Sequence, residues 1–282
     1  MSYKIKKAAV LGSGVMGSGI ACHLANVGID VLMLDILPKD LEKNKNRNAI
    51  SDGSLMRAVK SRPNPLYKKD YLKRIKTGNF EDDFDKISEA DWIIEVVVEN
   101  LEIKKQIFEK VEKYKTKGVI VTSNTSSIPI GLLCEGRSDD FKKNFCGTHF
   151  FNPPRYLRLF EVIPHDKTDS KLVDYLMEFG DIVLGKQTVL CKDTPAFIGN
   201  RIGVMAGIKL SQLTDKYNFT IEEVDLITGT VIGYPNSGTF RLQDLVGLDT
   251  SDKVTKFLVE NVKNDTFYSK LKDQPQNKLN SS

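Results

Sequence analysis

The sequence predicts an α/β chain: a doubly wound, mostly parallel sheet followed by a second, smaller all-helical domain. Three observations predict it. Short apolar runs alternate with stretches of helical periodicity over the first part of the chain. A glycine-rich turn joins the first of those runs to the first helical stretch. After Lys192-Asp-Thr-Pro195 only helical periodicity follows. Strands that alternate with helices argue for a parallel sheet covered on both faces, because each parallel crossover needs a helix to bring the chain back.

The elements follow in order. Lys7-Ala-Ala-Val-Leu-Gly12 is an apolar run ending in glycine, and residues 15–27 place small and apolar side chains at helical spacing, so strand, tight turn and helix are expected. Gly28 stops that helix, and Asp30-Val-Leu-Met-Leu-Asp35 supplies a second buried strand that closes a βαβ unit. Residues 40–79 are rich in Lys, Arg and Asn and contain the breakers Pro63 and Pro65; an inserted helical pair crossing the surface is expected there. Further strand-like runs are Trp92-Ile-Ile-Glu-Val-Val-Val98, Gly118-Val-Ile-Val-Thr-Ser123, Asn144-Phe-Cys-Gly-Thr-His149 and residues 159–163. Residues 101–115 and 170–179 alternate as amphipathic helices, and residues 197–217 and 220–232 read as helices of the second domain. The domains are therefore set at 1–192 and 193–282, with a polar, frayed tail after Asn264.

Composition narrows the function. A chain of 282 residues with 40% hydrophobic content holds one large and one smaller globular domain. The N-terminus lacks the apolar core and small-residue cleavage site of a signal peptide, and no apolar run is long enough to cross a bilayer. The four cysteines, Cys22, Cys134, Cys146 and Cys191, have neither metal-site nor disulfide-framework spacing. A cytoplasmic protein with no membrane partner and no metal is expected. The net charge of +4 is modest and spread along the chain, which gives little support to nucleic-acid binding and suits an acidic small molecule.

Gly12-Ser-Gly14-Val-Met-Gly17 is a G-x-G-x-x-G that follows a strand and opens a helix, the context in which this Rossmann motif has a mechanism. Gly12 permits the turn, Gly14 lets the backbone approach a pyrophosphate, and Gly17 lets helix and sheet pack closely. Asp35 ends the second strand, where a carboxylate accepts hydrogen bonds from both ribose hydroxyls and repels a 2′-phosphate. NAD is thus the expected cofactor, with Lys39 nearby leaving an opening for NADP.

The chain has three histidines. His23 lies on the first helix and reads as structural; His165 sits between Pro164 and Asp166 in a turn, with a surface role. His149 ends a strand at the carboxyl edge of the sheet, where doubly wound folds bind ligands, and is the candidate base. An imidazole titrates near neutral pH, as a base for an alcohol proton must. Glu161 is at this point one acidic residue in a strand-like run, and Ser126 is equally a helix N-cap.

Ser123-Asn-Thr-Ser-Ser127, His149-Phe-Phe-Asn-Pro153 and Lys192-Asp-Thr-Pro-Ala-Phe-Ile-Gly-Asn-Arg201 follow the glycine turn in that order, and Gly233-Tyr-Pro235 and Val246-Gly-Leu-Asp249 come later. With them the chain resembles the L-3-hydroxyacyl-CoA dehydrogenases. The resemblance implies that His149 is the catalytic base and that Glu161 holds its imidazole. It implies that Ser126 meets the substrate oxygen and that Asn200 helps to hold the acyl group. Glu99 and Lys104, in Val98-Glu-Asn-Leu-Glu-Ile-Lys104, match contacts to the nicotinamide side of NAD, as do Asn152 and Ser126. Ser51 and Lys60, in the basic insertion, match contacts to the CoA portion of a 3-hydroxyacyl-CoA; the ordinary alternative for that region is solubility. Asn236-Ser-Gly-Thr-Phe240 differs from the family's common form and is closer to the one in long bacterial fatty-acid oxidation proteins. The family's closing glycine-rich segment has no counterpart after Asp249, so a shortened helical domain is expected, with homodimerisation through it. Two alternatives stay open: a dehydrogenase of a small hydroxy acid, and a catalytically impaired nucleotide-binding fragment.

Overall fold

The computed structural model describes residues 3–40, 45–234, 236–262 and 265–272. Residues 41–44 of the predicted insertion, Pro235 of the Gly-Tyr-Pro motif and residues 273–282 of the predicted tail lie outside that description. Two compact units divide the chain, Met1–Asp193 and Thr194–Ser282.

The first unit is built in the order β1 (Lys7–Leu11), α1 (Val15–Asn26), β2 (Asp30–Asp35), α2 (Ala49–Lys60) and β3 (Ile75–Asn79). After these come β4 (Trp92–Glu95), α3 (Leu101–Tyr114), β5 (Ile120–Ser123), α4 (Ile130–Leu133), α5 (Asp139–Lys143) and β6 (Phe145–Phe150). The unit ends with β7 (Leu159–Ile163), α6 (Ser170–Glu178), a π-helical turn at Phe179–Val183 and β8 (Gln187–Leu190). All eight strands form one sheet in the order β3-β2-β1-β4-β5-β6-β7-β8. Neighbours from β3 through β6 run parallel, whereas β7 is antiparallel to β6 and β8 parallel to β7. The strand order reverses between β1 and β4, and the crevice at such a switch point is where open α/β sheets take ligands.

The central strands are apolar because both faces are covered: Val10, Leu11, Ile93, Ile94 and Val121 are each 0% exposed. α1 is buried from Gly17 to Asn26, a helix apolar nearly all round packed into the heart of the fold. Its Gly19 is required by packing, since a Cβ there would stand 2.9 Å from Cδ of Pro154 in the loop after β6.

Three expectations are corrected. Residues 40–79 do not hold a helical pair: among the described residues they hold α2, a 3₁₀ turn at Lys69–Arg74, and then β3, the edge strand of the sheet. β3 reads Ile-Lys-Thr-Gly-Asn, too polar to announce itself, and its pairing with β2 overrides that weak local signal. His165 is not a surface residue; it is 8% exposed, with Nε2 3.0 Å from the Lys142 carbonyl and 3.6 Å from Sγ of Cys134. The chain after Asn264 does not simply fray, because Thr266–Lys272 is helical.

The elements of the second unit among its described residues are all helical: α7 (Gly199–Tyr217), α8 (Ile221–Ile227), a 3₁₀ turn at Thr230–Ile232, α9 (Phe240–Val246), α10 (Leu248–Asn261) and α11 (Thr266–Lys272). α7 ends on Asn218 in the left-handed conformation, and α8 opens on a reciprocal cap between Thr220 and Glu223. α11 is pinned to α7, for the Tyr268 hydroxyl donates to the Arg201 carbonyl at 2.6 Å and Arg201 pairs with Asp265 at 2.7 Å.

Candidate active site

At the end of β1 the chain turns on Gly12, whose φ of 108° is ordinary only for glycine. Its N–H donates to the Leu34 carbonyl at 2.8 Å, which fastens the turn to β2. Packing demands two of the three motif glycines. A Cβ at Gly12 would lie 2.5 Å from the Val96 carbonyl oxygen, and one at Gly17 would lie 1.9 Å from that of Gly12. Gly14 is different, because a Cβ there would meet nothing within 4 Å. Its φ of −55° suits any residue, so nothing in the chain's own packing requires glycine. What the missing side chain keeps clear is the space before α1, whose N-cap has no side-chain hydrogen bond. Free N–H groups and the helix dipole favour a phosphate there, so these residues fit the pyrophosphate of a dinucleotide.

Asp35 closes β2, half-buried beside this turn. Its Oδ2 accepts from the Ser13 N–H at 2.6 Å and the Ser13 hydroxyl at 2.5 Å, and Oδ1 accepts from the Ile36 N–H at 2.7 Å. The carboxylate therefore ties the second strand to the glycine turn, in addition to standing where a ribose is expected.

Across the switch point, β4 and β5 end side by side on Glu95 and Ser123, which are register partners. Glu95 is 0% exposed and accepts from the Val97 N–H at 2.7 Å, the Ser123 hydroxyl at 2.5 Å and the Lys104 ammonium at 2.7 Å. Burial pushes its carboxyl upward against those three donors. Lys104 sits in the first turns of α3, a helix capped by the Asn100 side chain, and its second carboxylate is Glu99 at 3.3 Å. Burial acts to raise Glu99, but the Lys104 charge and the hydroxyls of Thr125 and Ser127 outweigh it and hold it below the usual range. Glu99 Oε1 gathers the Thr125 hydroxyl at 2.6 Å, the Ser127 hydroxyl at 2.8 Å and the Ser126 and Ser127 N–H groups at 3.1 Å each. The Ser126 hydroxyl is held only loosely, 3.5 Å from the same oxygen.

One strand further, His149 on β6 stands directly opposite Glu161 on β7. Directly opposed side chains of an antiparallel pair project from the same face, so the register alone brings imidazole and carboxylate together. Nδ1 lies 2.7 Å from Glu161 Oε2, with His149 5% and Glu161 0% exposed. The Phe151 ring covers the imidazole at 4.4 Å between centroids. Asn152 follows, exposed, at the start of a loop that Lys186 holds by donating to the Pro154 carbonyl and, at 2.7 Å, to that of Leu157.

The structure thus brings Gly12, Gly14, Gly17 and Asp35 together at the first turn, Glu99, Lys104 and Ser126 into one network, and His149 against Glu161. Asn200 belongs to the other unit, half-buried at the start of α7. Lys60 is exposed on the last turn of α2. Ser51 departs from its expected role as a CoA contact. It is 1% exposed, and its hydroxyl faces the carbonyls of Asn48 at 3.0 Å and Gly78 at 2.9 Å, so it ties α2 to β3 instead of facing a ligand.

The family model for the NAD-binding domain of 3-hydroxyacyl-CoA dehydrogenase matches residues 7–194, and that for the C-terminal domain of the same enzymes matches residues 197–278. The chain belongs to the 3-hydroxyacyl-CoA dehydrogenase family. NAD is the cofactor of this family's first domain, and the glycine turn fits it. A probable 3-hydroxyacyl-CoA dehydrogenase of Bacillus subtilis is 51% identical over 267 residues, covering 91% of this chain and 34% of that protein. One of Deinococcus radiodurans is 48% identical over 246 residues, covering 87% of this chain and 70% of its own length. The crystal structure of (S)-3-hydroxybutyryl-CoA dehydrogenase from Ralstonia eutropha superposes with a TM-score of 0.75 at 29% identity, over 94% of this chain and 90% of that one. This chain therefore spans about a third of the Bacillus relative.

Sequence reasoning passed over Glu95 and Lys186. A signal for Glu95 was present: a carboxylate inside the apolar run Trp92-Ile-Ile-Glu-Val-Val-Val98 is buried if the run is a strand, and a buried carboxylate needs partners. Lys186 carried no such signal, since only the fold reveals that it is 2% exposed.

Proposed function

We propose that this family member catalyses the reversible, NAD-dependent oxidation of an L-3-hydroxyacyl-CoA to the 3-oxoacyl-CoA, the redox step of fatty-acid β-oxidation. The observation that carries the reading is the shielded His149–Glu161 pair at 2.7 Å, on the same sheet edge as the glycine turn. Bound NAD supplies the acceptor for the hydride that leaves C3. The chain supplies the proton acceptor. With Nδ1 held by Glu161, proton exchange with the 3-hydroxyl falls to Nε2 of His149. The positive ring that results is stabilised by the carboxylate already at hydrogen-bond distance, an effect enlarged by exclusion of water. Ser126 hydrogen-bonds the 3-oxygen; Glu99 and Asn152 flank the nicotinamide side, and Asp35 takes the ribose hydroxyls. Exposed Lys60 pairs with CoA phosphate.

Two coarser features extend the proposal. Leu226, Val231, Tyr234 and Leu248 of the second unit are 74%, 76%, 57% and 61% exposed, which supports homodimerisation through the helical domain. No helix among the described residues is long and apolar enough to cross a membrane, and four free, buried cysteines fit a reducing cytoplasm. The deciding experiment is incubation with acetoacetyl-CoA and NADH, followed by absorbance of the reduced nicotinamide. Its loss is expected; no turnover of any acyl-CoA overturns the assignment and favours a small hydroxy acid as substrate, and tight NADH binding without any turnover even at high enzyme concentration favours the catalytically impaired nucleotide-binding fragment.

A further inference from the structure

The resemblance sends Lys104 to the cofactor, yet its ammonium has its hydrogens committed elsewhere. Three acceptors of the chain surround Nζ: Glu95 Oε1 at 2.7 Å, the Val97 carbonyl at 3.2 Å and Glu99 Oε2 at 3.3 Å. The side chain is 1% exposed. An ammonium has three donors, and three acceptors account for them. Whatever Lys104 contributes to the site passes through the carboxylates it touches.

We infer that Glu95 is a positioning residue of the active site: it anchors Lys104, Lys104 fixes Glu99, and Glu99 fixes the 125–127 turn that presents Ser126. The links are Glu95 to Lys104 at 2.7 Å, Lys104 to Glu99 at 3.3 Å and Glu99 to Thr125 at 2.6 Å. Glu95 is locked by the N–H of Val97 and the hydroxyl of its register partner Ser123, so it is the immobile end of the chain of contacts. Glu99 is the exposed end, with a side chain 37% exposed, and Lys104 together with the 125–127 turn is what holds it. The Glu99 oxygen that faces the turn collects two hydroxyls and two backbone N–H groups, which sets the path of residues 125–127. Without the carboxylate at 95, the buried ammonium loses its closest counter-charge and its fixed point, and the restraint on Glu99 goes with it. The inference rests on the proposed function, in which Ser126 meets the substrate oxygen.

The test is a double-variant cycle of Glu95→Gln and Ser126→Ala, assayed with acetoacetyl-CoA and NADH, with circular dichroism reporting the fold. Glu95→Gln lowers kcat by about 10²-fold, the size of effect that misplacing a reacting group by an ångström produces. In the Ser126→Ala background the same substitution costs less than about twofold more, because the group it positions is already gone. Losses that simply multiply overturn the inference and leave Glu95 a structural residue. If Glu95→Gln alone does not fold, the double variant Glu95→Gln, Lys104→Met removes both buried charges together and takes its place in the cycle; wild-type kcat in that variant also overturns the inference. If the wild-type chain turns over no acyl-CoA, the proposed function fails separately. The cycle is then read on NADH affinity against Glu99→Gln, the residue that flanks the nicotinamide side: Glu95→Gln weakens binding by about tenfold, a 1.4 kcal/mol effect, in the wild-type but not the Glu99→Gln background. Unchanged NADH affinity in Glu95→Gln counts against it.

Discussion

His149 and Glu161 face one another across the only antiparallel seam found in the described sheet, Nδ1 to Oε2 at 2.7 Å. The seam matters because parallel neighbours from β3 to β6 present their carboxyl ends together, whereas β7 starts at that edge and runs back from it, so its first half sets a carboxylate beside a histidine. Glu161 is paired on both flanks, with His149 and with Val189, so the pair is held by backbone geometry before any ligand arrives.

From this pair a first prediction follows. His149→Gln lowers kcat by about 10²-fold or more while leaving NADH affinity close to wild type, the ordinary magnitude for removal of a general base. Glu161→Gln keeps the shape and one hydrogen bond but removes the charge opposite the ring, and lowers kcat by about 10²-fold as well. Steady-state kinetics with acetoacetyl-CoA and a fluorescence titration with NADH measure the two effects. Near-normal turnover in His149→Gln removes this residue as the base.

The glycine turn separates a folding role from a binding role. Gly17→Ala forces a Cβ against the Gly12 carbonyl, 1.9 Å away, so backbone must shift and stability falls by about 3 kcal/mol. Gly14→Ala adds a methyl to open space at a φ of −55°, and stability stays within about 0.5 kcal/mol of wild type. Its NADH affinity nevertheless drops by about tenfold or more, because that methyl occupies the clearance the pyrophosphate uses. Chemical denaturation and NADH titration of both variants check this; unaltered NADH affinity in Gly14→Ala would place the phosphates elsewhere.

Much of this was legible in the sequence, for definite reasons. The glycine spacing, the strand before it and the carboxylate of Asp35 after the second strand are local signals, and the fold leaves them local. His149 was found because histidines are few and this one ends a strand run. Glu161 was different, for nothing in its own neighbourhood marks it; its role comes from a register between strands twelve residues apart. Ser51 misled because sequence shows a serine in a basic insertion, and only the placement of α2 against β3 turns its hydroxyl inward. His165 misled for the same reason, since a Pro-His-Asp turn looks solvated until Cys134 and Lys142 are packed onto it.

Stability should fall in mild acid, and His23 is a reason. It is 2% exposed, Nε2 donates to the Leu184 carbonyl at 3.0 Å, and Nδ1 has no hydrogen-bond partner among the described residues. A second proton would sit on a buried nitrogen with no acceptor, so burial, and then the nearby Lys186 charge, lower this ring from 6.5 to about 4. The unfolded chain binds that proton from about pH 6.5 downward and the native chain does not. The contribution is therefore fully present above pH 6.5 and lost progressively toward pH 4. From pH 7 to pH 5 the loss is about 2 kcal/mol. Urea unfolding at the two pH values measures it, and His23→Phe, which keeps an aromatic ring beside Phe150, flattens the difference. An equal slope in that variant assigns the acid sensitivity to other groups.

On the proposed function Asp35 has two tasks, fastening Ser13 and meeting the ribose, and one substitution can separate them. Its Oδ2 accepts both donors of Ser13, and an asparagine with its amide oxygen turned toward Ser13 still accepts them, so Asp35→Asn keeps the tie to the glycine turn and gives up the hydrogen bond from the Ile36 N–H. What it removes is the negative charge, and with it the repulsion of a 2′-phosphate. Two unit charges about 4 Å apart interact by about 1 kcal/mol in water and about 4 kcal/mol near a protein surface. The preference for NAD over NADP, measured as a ratio of kcat/KM values, should then shrink at least about fivefold, the equivalent of 1 kcal/mol. Exposed Lys39, four residues on, is a cation able to meet the added phosphate, so Asp35→Asn, Lys39→Ala should regain part of the preference. An unchanged ratio in Asp35→Asn would mean that Asp35 serves only to fasten Ser13, and that discrimination between the two cofactors lies in other groups around the turn.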